Sequence, residues 1–389
     1  MSLCLDGQAR DGKENRILDN KKNAIFTIAF VASIILIFTF IDIFHSDRIF
    51  SETENRLLAT KPKFSVEALL SGSYTADYEK YLTDQFIGRD KWIRLKTETD
   101  ILLQRQEVGG VYLAQNHYLI EQHLPEDHPA EEVEKKLGLL EKLVKEWDAT
   151  VMLVPTADII LADKLPANAP CYDQAALLEQ VSGMLESGQY VDVYQALQEH
   201  NGEEIYYHTD HHWTSLGAYY GYLAWAQTVG EEPYPYDPAA MVTVTGEFLG
   251  TLHSKVNLDW KPDNIQIFSE TEGNRVKVVY DLQTETDTLY EEKYLETKNK
   301  YGFFLDDNHA IVEITTSQKN GKMLFVLKDS YANCVIPLLT AHYEKIYVVD
   351  LRYYNGKLFN LMETVEPVGG MDVLVLYNCI HFLEEFNYW

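Results

Sequence analysis

Met323-Leu324-Phe325-Val326-Leu327-Lys328-Asp329-Ser330-Tyr331 decides how this chain is read. Five apolar residues follow one another without a break, as in a strand buried on both faces. Lys328-Asp329-Ser330 ends the run, and the pattern beyond predicts a helix from Tyr331 to Tyr343. A strand leading through a short polar turn into a helix is the repeating unit of a parallel α/β sheet. Ligands of such open sheets bind at the carboxyl ends of the strands, and Ser330 falls at one of them. Serine after a strand is also a favoured helix N-cap. On its own, then, the stretch allows either a nucleophile or a cap.

The same alternation extends outward. Lys345–Val349 and Asp372–Tyr377 read as further buried strands. Upstream, Pro129–Trp147 and Gln174–Leu185 space their apolar residues as helices do, while Thr150–Val154 and Tyr190–Val193 read as strands. Val111-Tyr112-Leu113 and Tyr118-Leu119-Ile120 suggest a hairpin. Between Phe248 and Lys322 the alternation gives way to candidate antiparallel strands at Ile265–Phe268, Val276–Tyr280, Phe303–Leu305 and Ala310–Ile314. These are read as a β-rich insertion, around 248–322, that shapes a substrate entrance. The fold expected is α/β: a parallel sheet flanked by helices, carrying that insertion.

A second stretch supplies what a serine nucleophile lacks. His208-Thr209-Asp210-His211-His212-Trp213 sets three histidines and an aspartate within five positions, and a helix follows from Thr214 to Val229. If Asp210–His212 is extended, residues i and i+2 share a face. Asp210 then orients His212 as a general base, and His211 points the other way. Serine hydroxyls need such a base. The backbone N–H groups of Ser330 and Tyr331 and the side chain of Arg352, at the end of the next strand, are candidate oxyanion donors. His211, Trp213 and Asn333 are candidate substrate contacts. Asp329 is left out, because neighbours on a strand face opposite ways.

Composition narrows the class. A formal charge of −27 argues against nucleic-acid binding, which needs clustered Lys and Arg. Four cysteines, without CxxC or zinc-type spacing, are too few for a disulfide scaffold and read as structural. Neither GxGxxG nor GxxxxGK[ST] occurs, and no cofactor or metal is called for. Asn23–Ile41 runs 19 residues without a charge, close to the length of a bilayer core. Arg10, Lys13, Arg16, Lys21 and Lys22 precede it, which places the N-terminus in the cytoplasm. No small-x-small cleavage signal follows the span, so an uncleaved anchor is expected. The expected organisation is a cytoplasmic tail (1–22), a transmembrane signal-anchor (23–44), a helical juxtamembrane segment (45–110) and an extracytoplasmic catalytic domain (111–389). Within the third segment, Val66–Phe86 and Lys91–Gln104 carry the helical spacing, and Gly109-Gly110 marks its end.

Asp210-His211-His212-Trp213 resembles the signature of the DHHW-motif proteins of bacterial cell envelopes. These are similar to the Asp-x-His-Trp proteins of alginate O-acetylation in the SGNH hydrolase superfamily. Ser51–Arg56, Asp84-Gln85-Phe86, Arg89-Asp90 and Lys328-Asp329-Ser330-Tyr331 extend the resemblance. It implies an SGNH-like fold with Asp210, His212 and Ser330 on the triad positions. The Asp-x-His pair precedes the serine here, whereas standard SGNH enzymes place the serine first, and His211 stands where the alginate proteins have threonine. The resemblance further implies acyl (most simply acetyl) transfer to, or removal from, an envelope polysaccharide or cell-wall glycan, with a membrane O-acyltransferase as the partner delivering the acyl group. Two alternatives remain open. One is a metal-dependent phosphoesterase using His208, Asp210, His211 and His212, with Asp306-Asp307-Asn308-His309 as its only comparable second cluster. The other is a non-catalytic glycan-binding envelope protein, for which 26 tyrosines offer stacking surfaces.

Overall fold

The computed structural model describes residues 3–51, 53, 56–272, 275–365 and 370–388. Glu52, Glu54 and Asn55 of the Ser51–Arg56 stretch lie outside the described residues. The chain divides into two compact units, one comprising Met1–Glu52 and Arg56–Ile93, the other Thr53–Asn55 and Arg94–Trp389.

The first unit begins with the helix Leu3–Phe44, of which Lys21–Ile41 is long and apolar enough to cross a membrane. The helical pattern from Val66 resolves into two helices, Val66–Ser71 and Ser73–Gln85. They break at Gly72, whose φ of 83° is a conformation that glycine adopts without steric cost. Residues that carried the family resemblance form a polar knot in this unit. Arg56 forks onto Asp84 at 2.9 and 2.6 Å, and Ala59 N–H donates to the same carboxylate. The Arg56 hydrogen bond outweighs burial and holds the Asp84 carboxyl at about 2. Gln85 ties the backbone of Arg48 to that of Ala59.

The second unit is built on a seven-stranded mixed sheet. Its strands are β1 (Thr150–Val154), β2 (Lys277–Tyr280), β3 (Thr284–Thr286), β4 (Ile311–Thr315), β5 (Met323–Lys328), β6 (Lys345–Asp350) and β7 (Asp372–Asn378). They lie in the order β1-β7-β5-β6-β4-β2-β3. β1, β7, β5 and β6 are parallel; β4, β2 and β3 continue the sheet antiparallel. The region expected as a β-rich insertion therefore extends the same sheet with three of its strands. A separate pair, Val242–Phe248 with Asp263–Ile267, lies apart from it.

Alternate residues of the parallel strands feed two cores. Met152, Val154, Leu324, Val326, Ile346, Val348, Leu374 and Leu376 face one side, with the helix Ser215–Val229 packed there. Val151, Leu153, Phe325, Leu327, Val349, Val373 and Val375 face the other, under Ala130–Trp147, Gln174–Met184 and Cys379–Glu385. Double coverage is the reason these strands read as unbroken apolar runs.

Three local expectations fail, each for an identifiable reason. Tyr190–Val193 makes a single parallel bridge with Val151. Asp192 then caps the helix Val193–Glu199 through Gln195 N–H and turns the chain away. The helix expected over Tyr331–Tyr343 is a 3₁₀ turn, Ser330–Cys334, and one α turn, Ile336–Leu339. Pro337 lacks the N–H that a continuous helix would need there. Phe303–Leu305 forms no strand, because Leu305, Asp306 and Asp307 have φ of 56°, 56° and 73°.

Candidate active site

β5 ends at Lys328, and Asp329 turns the chain so that Ser330 opens the 3₁₀ turn at the carboxyl edge of the sheet. The Asp210 loop reaches the same point by another route. Residues 208–212 are a run of bends closed by a bridge between Tyr206 and Trp213, not an extended segment. Asp210 nevertheless meets His212. Its Oδ1 accepts from His212 N at 3.0 Å, an i to i+2 side-chain turn, and contacts His212 Nδ1 at 2.5 Å. His212 Nε2 lies 2.8 Å from Ser330 Oγ. An ionised carboxylate only accepts, so Nδ1 carries the ring proton and Nε2 presents a lone pair to the serine hydroxyl. This connectivity eases removal of the serine proton.

Asp210 is held from its far side as well. Its Oδ2 accepts from Thr251 N at 2.8 Å and Thr251 Oγ1 at 3.1 Å. Burial alone would raise this carboxyl; the imidazoles of His211 and His212 and these hydrogen bonds hold it well below the usual range. Gly250 makes the fit possible, since a Cβ there would stand 2.3 Å from both Asp210 Cβ and Oδ2. A second buried carboxylate, Asp263, fixes the start of the loop by accepting from His208 N, Thr209 N and Thr209 Oγ1. The two loops are also stitched directly. Trp213 Nε1 donates to Tyr331 O at 2.9 Å, and the Tyr331 hydroxyl donates to His211 O. Tyr301 stacks on His212, ring centroids 3.8 Å apart, and its hydroxyl reaches Ser330 O.

A cavity of about 300 Å³ opens over Ser330, with His211, His212, Lys298, Arg352 and His381 among its walls. Trp213 and Asn333 are fully buried and stand outside it. Asn333 serves instead to bind Lys328 Nζ and the Asp307 carbonyl. Tyr331 N–H is not a free oxyanion donor, because Asp329 Oδ1 accepts from it at 2.9 Å. Arg352 reaches the cavity, but its fork is engaged with Asp350 at 2.8 and 2.6 Å. A larger cavity, about 780 Å³, lies at the amino-terminal ends of β1, β5 and β7, away from Ser330.

Asp210, His211 and His212 lie close enough together to hold a metal ion. His212 has both nitrogens engaged already, one on Asp210 and one on Ser330. His208 turns away to Asp263, stacked on Tyr118, and His309 binds Asp281 and Asp306. The four-residue set expected for metal chemistry is thus not assembled. Cys171, Cys334 and Cys379 are free thiols. Gly250, Thr251, Asp263, Tyr301 and His381 were not anticipated. Of these, only His381 carried a sequence signal, following the helix-capping Asn378 at the end of a buried strand.

Residues 137–349, more than half of the chain, match the family profile described as DHHW protein. No curated protein matches the chain. A DHHW family protein from Eubacterium siraeum DSM 15702 superposes with a TM-score of 0.57 at 24% identity, covering 71% of this chain and 93% of that one. PatB1 of Bacillus cereus gives 0.57 at 20% identity over 70% of this chain and 98% of its own. The PatB1 structure with a sulfonyl adduct gives 0.55 at 20% identity, covering 71% and 97%. At these identities the likeness bears on the fold.

Proposed function

This chain belongs to the DHHW protein family, and from that premise we propose that it is a serine-dependent O-acyltransferase of the cell envelope, acting on a polysaccharide or cell-wall glycan. The observation that carries the reading is the buried hydrogen-bond sequence Asp210–His212–Ser330. Ser330 Oγ attacks the acyl carbonyl as His212 Nε2 takes its proton, and the carbonyl electron pair moves onto oxygen. Collapse of the tetrahedral adduct expels the donor's leaving group, which receives that proton. The acceptor hydroxyl then repeats the two steps on the acyl-serine and leaves as the ester. Asp210 holds the imidazole tautomer and balances the imidazolium. Water in place of the sugar hydroxyl would make the same site an esterase.

Lys21–Ile41 is the membrane anchor in this reading, with the N-terminus cytoplasmic and residues 111–389 the extracytoplasmic catalytic region. A membrane O-acyltransferase supplies the acyl group, as in the alginate systems that the sequence resembles. The test is covalent labelling of the purified protein with a sulfonyl fluoride or fluorophosphonate, followed by peptide mapping. We expect one adduct, on Ser330, and loss of p-nitrophenyl acetate turnover in Ser330→Ala. Turnover that survives Ser330→Ala but not a chelator would move the chemistry to a metal.

A further inference from the structure

Of the oxyanion donors expected from the sequence, Tyr331 N–H is spent on Asp329 and the Arg352 fork on Asp350, which leaves the Ser330 N–H to be joined by a second donor. Two cavity imidazoles, His211 and His381, keep an Nε2 without a hydrogen-bond partner among the described residues. They differ in what that nitrogen offers. Thr251 Oγ1 gives its proton to Asp210, so it accepts from His211 Nδ1–H at 2.7 Å. Burial and the neighbouring His212 push His211 down to about 3, leaving a neutral ring whose Nε2 is a lone pair. An oxyanion gains nothing from a lone pair.

His381 is held in the opposite sense. It lies in the first turn of Cys379–Glu385, where Asn378 caps the helix by accepting from Ile380 N and His381 N. β7, which leads into this turn, is the immediate parallel neighbour of β5, which leads into Ser330. Asp329 couples the two turns. Its Oδ1 accepts from Tyr331 N, and its Oδ2 from Asn378 N, Asn378 Nδ2 and His381 Nδ1, all at 2.9 Å. The carboxylate next to the nucleophile thus fixes the ring of His381 with Nδ1 inward.

We propose that His381 Nε2–H is the side-chain oxyanion donor of this site, aimed at the carbonyl oxygen that gains charge when Ser330 attacks. The assignment rests on the acyl-transfer reading above. The charge state is consistent with it. Burial works against the imidazolium, but Asp329, and more weakly Glu385 at 4.0 Å, raise His381 above its ordinary value. Arg352 opposes them. His211 faces it at 5.9 Å between ring centroids, and Glu121, His123 and Asp158 line a niche of about 20 Å³ together with both rings. A fixed cation costs no reorganisation as the oxyanion forms, and removing one such donor typically lowers kcat on the order of 10²–10³-fold.

The test uses the full chain with His381→Gln and His381→Ala. We expect p-nitrophenyl acetate kcat to fall on the order of 10²-fold, with KM within about threefold, and fluorophosphonate labelling of Ser330 to slow in parallel. The wild type should lose kcat/KM as pH rises through the elevated His381 value, and that limb should vanish in both variants. Added imidazole at a pH where it is protonated should partly restore His381→Ala, which repair of a packing defect would not do. A folded His381→Gln with kcat within about threefold of wild type, or with the alkaline limb intact, overturns the assignment while Ser330 labelling still supports the reaction. Turnover without Ser330 overturns both.

Discussion

Asp210→Asn separates a working triad from a hydrogen-bonded cluster that merely resembles one. The Asp210 carboxylate takes four hydrogen bonds, two from His212 and two from Thr251. An amide can accept on one side only. With its oxygen toward Thr251, its NH₂ faces His212, Nδ1 must become an acceptor, and the ring proton moves to Nε2. The imidazole then donates toward Ser330 and cannot take its proton. With the oxygen toward His212, Thr251 N–H faces a donor, a buried mismatch costing about 1–3 kcal/mol. The imidazolium also loses its counter-charge. Stability should therefore fall by about 1–3 kcal/mol. The kinetic loss should be far larger, about 10⁴-fold in kcat, or about 5 kcal/mol of barrier. p-Nitrophenyl acetate turnover gives the kinetic loss, and thermal melting followed by circular dichroism gives the loss of stability. A folded Asp210→Asn protein retaining more than about a tenth of wild-type kcat would refute the roles given to Asp210 and His212.

His211→Ala should be mild in comparison: the ring packs 3.9 Å from His212 but lies outside the proton path, so kcat should stay within about tenfold, or about 1.4 kcal/mol of barrier. A dead but folded His211→Ala would place the base on the wrong histidine. Gly250→Ala would drive a methyl into Asp210 and displace it. Misplacement near 1 Å costs about 10²-fold in rate, so turnover should collapse while the melting temperature shifts by only a few degrees. For the anchor, alkaline phosphatase fused after residue 389 should be active and a cytoplasmic reporter silent; the reverse pattern would put the site inside the cell.

What was legible in the sequence follows from where each signal originates. β5, β6 and β7 announced themselves because helices cover both faces and leave no polar alternation to confuse the reading. Antiparallel β4 and β2 were equally visible as strands. Their place beside β6 was not, because pairing partners are set by topology and leave no local mark. Phe303–Leu305 looked like strand from composition, but a 3₁₀ turn at Lys300–Phe303 and consecutive left-handed residues at Leu305–Asp307 override such a preference, and their cause lies in the loop's tertiary anchors.

The Asp210–His212 contact is the most instructive case. Two-residue periodicity selected the histidine that lies between Asp210 and Ser330 by assuming an extended chain, yet the residues sit in successive bends. The pairing survives because an aspartate side chain reaching the backbone N–H two positions on brings the same residues together in a bend. What an extended chain would also have done, placing His211 on the opposite face, does not occur: the two rings lie 3.9 Å apart. Spacing i, i+2 therefore carried the contact without carrying the conformation. Asp263, Thr251 and Gly250 had no comparable signal, each acting on the loop from at least 40 residues away in sequence. Asp329 was dismissed by strand alternation for facing away from Ser330. It does face away, and in doing so holds Tyr331, Asn378 and His381, which makes the residue excluded from the proton path the one that frames it.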